Sequence, residues 1–271
     1  MKKLPFFLLL ILLLEVISVD SQQAPALLKY VLQWPPTFCI KLNSEEEGRC
    51  KEPIPEHEFT LHGLMPADEE GNSIECYPGE DPNWDELFEP IEDELVTFWP
   101  SLREDFSERD LWEHEWRAHG ACGGTTPQEY FNTAIEINNK PEQGNLFNYL
   151  ETSGIIASDS LAYPKEDIFA AVQKVFDEST PLNIYLTCIP INPEITTHVY
   201  LSEITLCTNL DGTEYISCPS EAAPTSCPDE ALIMLPHPQA QWPEDPPEDI
   251  WKTRMGRILR LNDLRLRLML A

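Results

Sequence analysis

Basic residues are scarce in this chain of 271 residues: 18 lysines and arginines stand against 47 aspartates and glutamates, a formal net charge of −29. That balance excludes a general nucleic-acid-binding module, because non-specific attraction to phosphodiester backbones comes from lysine and arginine. Histidine is scarcer still, six in all. No Asn-x-Ser/Thr triplet occurs, so N-glycosylation is not expected. There is no internal repeat, and beyond the amino terminus no apolar run is long enough to cross a bilayer.

What the amino terminus holds is Met1-Lys2-Lys3, an apolar run over residues 4–14, and Val19-Asp20-Ser21. Two lysines, a short greasy core and small residues read as a secretory signal over 1–21, too short for a stable membrane span. Its removal deletes Lys2, Lys3, Glu15 and Asp20 and leaves the net charge unchanged. All eight cysteines lie after it, an even number that implies a disulfide framework in an exported chain. Residues 198–207 and 213–218 read as strands around Asp211-Gly212, a hairpin dipeptide. Cys207 and Cys218 sit almost symmetrically about that turn and can face each other across it.

Three of the six histidines fall in two segments, Phe59-Thr60-Leu61-His62-Gly63-Leu64-Met65-Pro66 and Leu111-Trp112-Glu113-His114-Glu115-Trp116-Arg117-Ala118-His119-Gly120-Ala121-Cys122. Imidazole exchanges protons near neutrality. Two imidazoles on separate segments, with a carboxylate between them in sequence, are the minimum kit for paired general acid–base chemistry. The second segment has no proline and follows Ser107-Glu108-Arg109-Asp110, so a helix is expected. Glu115 and His119, four apart, share a face of it, and His114 projects from the neighbouring edge. Gly120 is expected to end the helix. A zinc-protease site is not expected, because His114 and His119 are five apart and diverge by about 140°.

The two segments resemble the active-site segments of the ribonuclease T2 family, secreted and usually acid-active endoribonucleases. Val31-Leu32-Gln33-Trp34-Pro35-Pro36-Thr37-Phe38-Cys39 resembles the family's amino-terminal strand, and Phe98-Trp99-Pro100-Ser101-Leu102 the segment before its active-site helix. The likeness spans about residues 27–230. It implies RNA as substrate, DNA as a non-substrate, and neither metal nor cofactor. It further implies His119 as base, His62 as acid, Glu115 as transition-state stabiliser and His114 as a phosphate seat. Met65, Gln33 and Arg117 become candidates for substrate contacts. The family pattern would pair Cys39–Cys50, Cys76–Cys122 and Cys188–Cys227 beside Cys207–Cys218.

Two positions depart from that pattern. Ala118 stands where the family has a lysine beside the last histidine, and Met65 where it usually has a tryptophan. A missing cation weakens transition-state stabilisation, and methionine lacks an aromatic stacking face. An endoribonuclease forming a 2′,3′-cyclic phosphate is therefore expected. The competing class is a weakly active or noncatalytic secreted effector or storage protein on the same scaffold.

Strand-like runs lie near 28–34, 57–62, 183–188, 198–207 and 213–218 and helical stretches near 84–98, 108–119, 127–138 and 165–177, the strands being linked through helices early and a hairpin late. They suggest an α+β fold: a mainly antiparallel sheet flanked by helices and stabilised by disulfides. Segments 43–56 and 66–82 read as loops. The expected domain is 22–235, followed over 236–271 by a proline- and acid-rich linker and a basic Leu/Arg tail. A monomer is expected, outside the cell or in an acidic lumen such as a lysosome or vacuole. At low pH protonated imidazoles and neutralised carboxylates would weaken the repulsion of RNA.

Overall fold

The computed structural model describes residues 24–237, apart from 45–47, 56, 75, 78, 141–145, 177–180, 193–194 and 221–226. The expected signal segment and the tail from 238 onward lie outside the described residues. One seven-stranded sheet organises the rest. Its strand β1 (Leu27–Gln33), an interior one, is buried along its whole length, because both neighbours and both faces are covered. β1 pairs antiparallel with β2 (Thr60–Ala67) and with the long β5 (Ile195–Thr208). β5 also pairs antiparallel with β4 (Tyr185–Asn192) and β6 (Tyr215–Ile216).

β7 (Leu232–Met234) runs parallel to β5 and antiparallel to β3 (Tyr163–Pro164). The sheet is thus mixed rather than wholly antiparallel: a second chain reversal after the β5–β6 hairpin brings β7 in alongside β5. That hairpin turns at Gly212, whose φ of +71° suits glycine.

The helices correct the expected boundaries. α1 (Pro35–Ser44) occupies a stretch not expected to be helical; its two leading prolines fit a first turn whose amides have no intrahelical partner. The single helix expected over 84–98 is two short ones, α2 (Trp84–Phe88) and α3 (Glu92–Phe98), interrupted at Pro90. α4 (Glu108–Ala118) and α5 (Pro127–Asn138) each begin with a capping box, Ser107 with Asp110 and Thr126 with Glu129. α6 (Leu146–Thr152), not expected, and α7 (Lys165–Gln173) complete the helices of the described residues.

The core between sheet and helices is aromatic. Phe88 packs against both Trp112 and Phe131 at centroid distances of 5.1 Å. A buried indole N–H needs an acceptor, and three of them here tie segments together, whereas Trp84 Nε1 has no partner among the described residues. Trp112 donates to the Trp99 carbonyl at 2.9 Å, and Trp99 to the His62 carbonyl at 3.0 Å. Trp34 donates to the Pro236 carbonyl at 3.0 Å, and the His237 amide to Asp159 at 2.9 Å. Packing therefore continues past residue 235, where the linker was expected to begin.

Four disulfides join Cys39–Cys50, Cys76–Cys122, Cys188–Cys227 and Cys207–Cys218. The second spans 46 residues and ties the loop after β2 to the turn that ends the α4 segment. Replacing both Cys76 and Cys122 by alanine should lower unfolding free energy by up to about 4 kcal/mol on the chain-entropy account. Urea unfolding of the double variant and the parent checks this; equal midpoints and slopes would show that the bridge adds nothing.

Candidate active site

Leu61 and Leu64 are both fully buried in the same core cluster, although they lie three residues apart on one strand. A regular strand would send them to opposite faces. The register resolves the conflict: Val31 pairs with Gly63 and Leu32 with Leu61, so His62 is the extra residue of a β-bulge. Bulges re-aim side chains, and this one turns His62 out of the core, beside Gly63 and Met65. Trp99 fixes the carbonyl of His62, and the hydroxyl of Tyr130 donates to the Leu64 carbonyl at 2.9 Å.

α4 supplies the second half. Its buried Glu115 lies against Gly63 so closely that a Cβ there would collide with Oε2. That oxygen is buried without a hydrogen-bond partner among the described residues. His119 is not inside the helix as expected: α4 ends at Ala118, and His119 caps it with φ −133° and ψ −51° before a 3-10 turn, Gly120–Cys122. Its amide still donates to the Glu115 carbonyl at 2.9 Å, and its Nε2 stands 4.0 Å from Glu115 Oε2.

The two imidazoles are biased in opposite directions. Burial lowers His119 to about 4, helped by the positive charges of His62, His114 and Lys29. Burial also acts to lower His62, but the hydrogen bond and charge of Glu203, with the charge of Glu115, outweigh it and the opposing Lys41. His62 is raised above the usual 6.5. Burial pushes Glu115 up to about 7, against the pull of His62. In mildly acid solution His62 thus carries a proton while His119 has none.

The other expected contact residues are spread around this centre. His114 is exposed, 6.4 Å edge-on from Phe106. Met65 is half-buried, its methyl near Gly63. Gln33 is buried on β1, in register with Thr60 on one side and Glu203 on the other. Arg117 is held elsewhere: it pairs with Asp81 at 2.7 Å and Glu113 at 3.0 Å and lies over the Trp84 ring.

Sequence inspection missed Glu203, whose Oε1 accepts a hydrogen bond from His62 Nδ1 at 2.7 Å. Its signal was its singularity, as the one acidic residue in β5. Among the described residues no group of three or more His, Cys, Asp or Glu is arranged to hold a metal ion.

The profile of the Ribonuclease T2 family matches residues 26–218. The chain belongs to the ribonuclease T2 family. This T2-family chain is 28% identical over 222 residues to "Intracellular ribonuclease LX" of Solanum lycopersicum, covering 80% of this chain and 87% of that one. A "Ribonuclease-like storage protein" of Panax ginseng is 26% identical over 197 residues, 71% of this chain and 74% of that one. Among solved structures, RNase NT in complex with 5′-AMP superposes with a TM-score of 0.63 at 23% identity, covering 79% of this chain and 100% of that one. The shared fold includes the α+β architecture described above.

In this T2-family site, Gly63→Ala tests the contact with Glu115. A methyl group there would displace the carboxylate, and RNA turnover should fall on the order of 100-fold, as when one transition-state stabiliser is lost. Circular dichroism should show the fold retained. A Gly63→Ala variant with parental turnover would remove Glu115's placement from the list of requirements.

Proposed function

We propose that this T2-family endoribonuclease cleaves single-stranded RNA by internal transesterification. The ribose 2′-oxygen attacks phosphorus, His119 accepts the 2′-hydroxyl proton, and His62 gives a proton to the departing 5′-oxygen. One P–O bond forms, one breaks, and a 2′,3′-cyclic phosphate is left. The observation that carries this reading is the convergence of two imidazole-bearing segments on one buried carboxylate: Gly63, next to His62, lies against Glu115 Oε2, and His119 Nε2 stands 4.0 Å from the same oxygen. Glu115, pushed by burial up to about 7, can hold a proton in mildly acid solution and donate it in a hydrogen bond to a phosphoryl oxygen where negative charge builds. His114 is assigned to the phosphate, with Met65 and Gln33 beside the base. DNA has no 2′-hydroxyl and should survive. No metal or cofactor has a role in these steps.

The signal-like amino terminus and four disulfides support export, to the outside or to an acidic lumen. No helix among the described residues is long and apolar enough to cross a membrane. A monomeric domain over 22–235, followed by a linker and basic tail, remains our proposed organisation, with packing continuing to His237.

The pH dependence follows from the two shifts. His119 must be deprotonated to act as base, so kcat/KM should rise as pH passes about 4. His62 must be protonated to act as acid, so kcat/KM should fall above 6.5. A bell is expected, with its rising limb near 4 and its falling limb above the ordinary imidazole value. His62→Ala and His119→Ala should each lower turnover by about 100-fold or more. Assays across pH 4–8 with detection of the cyclic phosphate check this; equal cleavage of DNA, or absence of the cyclic product, would overturn the mechanism.

A second reading, a storage or effector protein with little turnover, is favoured by Ala118, Met65 and the acidic surface. Retention of His62, Glu115 and His119 speaks for the enzyme. The missing cation can be tested directly. Because Arg117 is engaged by Asp81 and Glu113, it is a poor substitute, and Arg117→Ala should change kcat little. Ala118→Lys should raise kcat more than it lowers KM, the signature of stabilisation confined to the transition state. Kinetics of both variants and of the double variant decide it; a large loss in Arg117→Ala would return the phosphate-binding role to that arginine.

A further inference from the structure

Glu203 lies two strands away from His62, with β1 between them. Across the sheet, Thr60 of β2 pairs with Gln33 of β1, and Gln33 with Glu203 of β5, so these three share one face. The bulge in β2 brings His62 onto the same side, where its ring reaches over β1 to the carboxylate. Glu203 is 21% exposed in its side chain, in a strand otherwise made of apolar, hydroxyl and imidazole residues. The bond is short, 2.7 Å. It takes up Nδ1 and leaves Nε2 as the ring nitrogen available to substrate.

We propose that Glu203 is a positioning residue for the proton donor: by accepting the Nδ1 hydrogen bond it fixes the tautomer and orientation of His62 so that Nε2 carries the proton delivered to the leaving oxygen. This rests on the reading of His62 as the acid. A carboxylate behind an imidazole orients the ring and stabilises its charged form. The other groups that face His62 are Glu115, which also favours the cation, and Lys41, which opposes it. His119, from the end of α4, is itself influenced by the charge of His62. Glu203 is the one of these that is hydrogen-bonded to the ring, which separates it from a general field effect.

Glu203→Gln tests the proposal, since the amide oxygen can still accept from Nδ1 while the charge is gone. Two substrates separate acid catalysis from general damage. A dinucleoside phosphate has a poor leaving group that needs the proton, and a uridine 3′-aryl phosphate has one that does not. On the dinucleoside phosphate, kcat/KM should drop on the order of 10-fold near neutral pH, a part of what general acid catalysis contributes. The falling limb of its pH profile should move to lower pH, and the rising limb near 4 should stay. On the aryl ester the loss should be slight. Proton NMR of the resting protein should show His62 titrating at lower pH in Glu203→Gln than in the parent. Glu203→Ala, which removes the acceptor too, should be the more damaging variant on the dinucleoside phosphate.

Unchanged His62 titration in Glu203→Gln overturns the proposal. If the titration moves but both substrates lose equally, Glu203 governs the ring and His62 is not the acid; that outcome overturns the proton-donor role and leaves the coupling intact.

Discussion

Two leucines in one strand both seek the same core, and the spacing between them does not permit it. Leu61 and Leu64 can be buried together only if the strand carries one residue more than its partner. The core wins that conflict because burying a leucine side chain is worth about 1.5–3 kcal/mol. The displaced residue is His62, so hydrophobic packing is what delivers an imidazole to the functional face. Trp99 then holds the His62 carbonyl, and Trp112 holds Trp99. The position of the ring is thus coupled through two buried indoles to α4, the helix that brings Glu115.

Around that frame, electrostatics does the sorting. An unpaired oxygen on a buried carboxylate is unfavourable unless the group takes up a proton or gains a partner. Glu115 tolerates burial because Gly63 leaves room and His62 lies near. The same low-dielectric setting depresses His119, whereas Glu203 reverses the effect at His62. One environment thereby yields two imidazoles with different resting charges. The strongly acidic exterior does not compete with this, since solvent and salt screen exposed charges.

Much of this was legible in the chain. The α4 segment announced itself through its cap, its length without proline and the spacing of Glu115 and His119. The Cys207–Cys218 pairing followed from a turn dipeptide, while the other three bridges came from family likeness. What could not be read were features set by distant parts of the chain. A bulge breaks the period of two on which strand recognition depends, so the strand expected at 57–62 proved to be Thr60–Ala67. Glu203 lies 141 residues from His62 and carries no local mark beyond its isolation among apolar neighbours. Arg117 sat next to the right residues, but Asp81 and Glu113 claimed it. The split at Pro90 could have been foreseen, because proline interrupts helices wherever the fold does not compensate.

Cys122 follows His119 by three residues, and its bridge to Cys76 closes the chain just after α4 ends. Disulfides form and persist in oxidising compartments. A copy of this chain stranded in a reducing cytosol would keep eight thiols and lack that closure beside His119. If the bridge is needed for activity, oxidative folding would act as a safety catch, completing the site only where cysteines can pair.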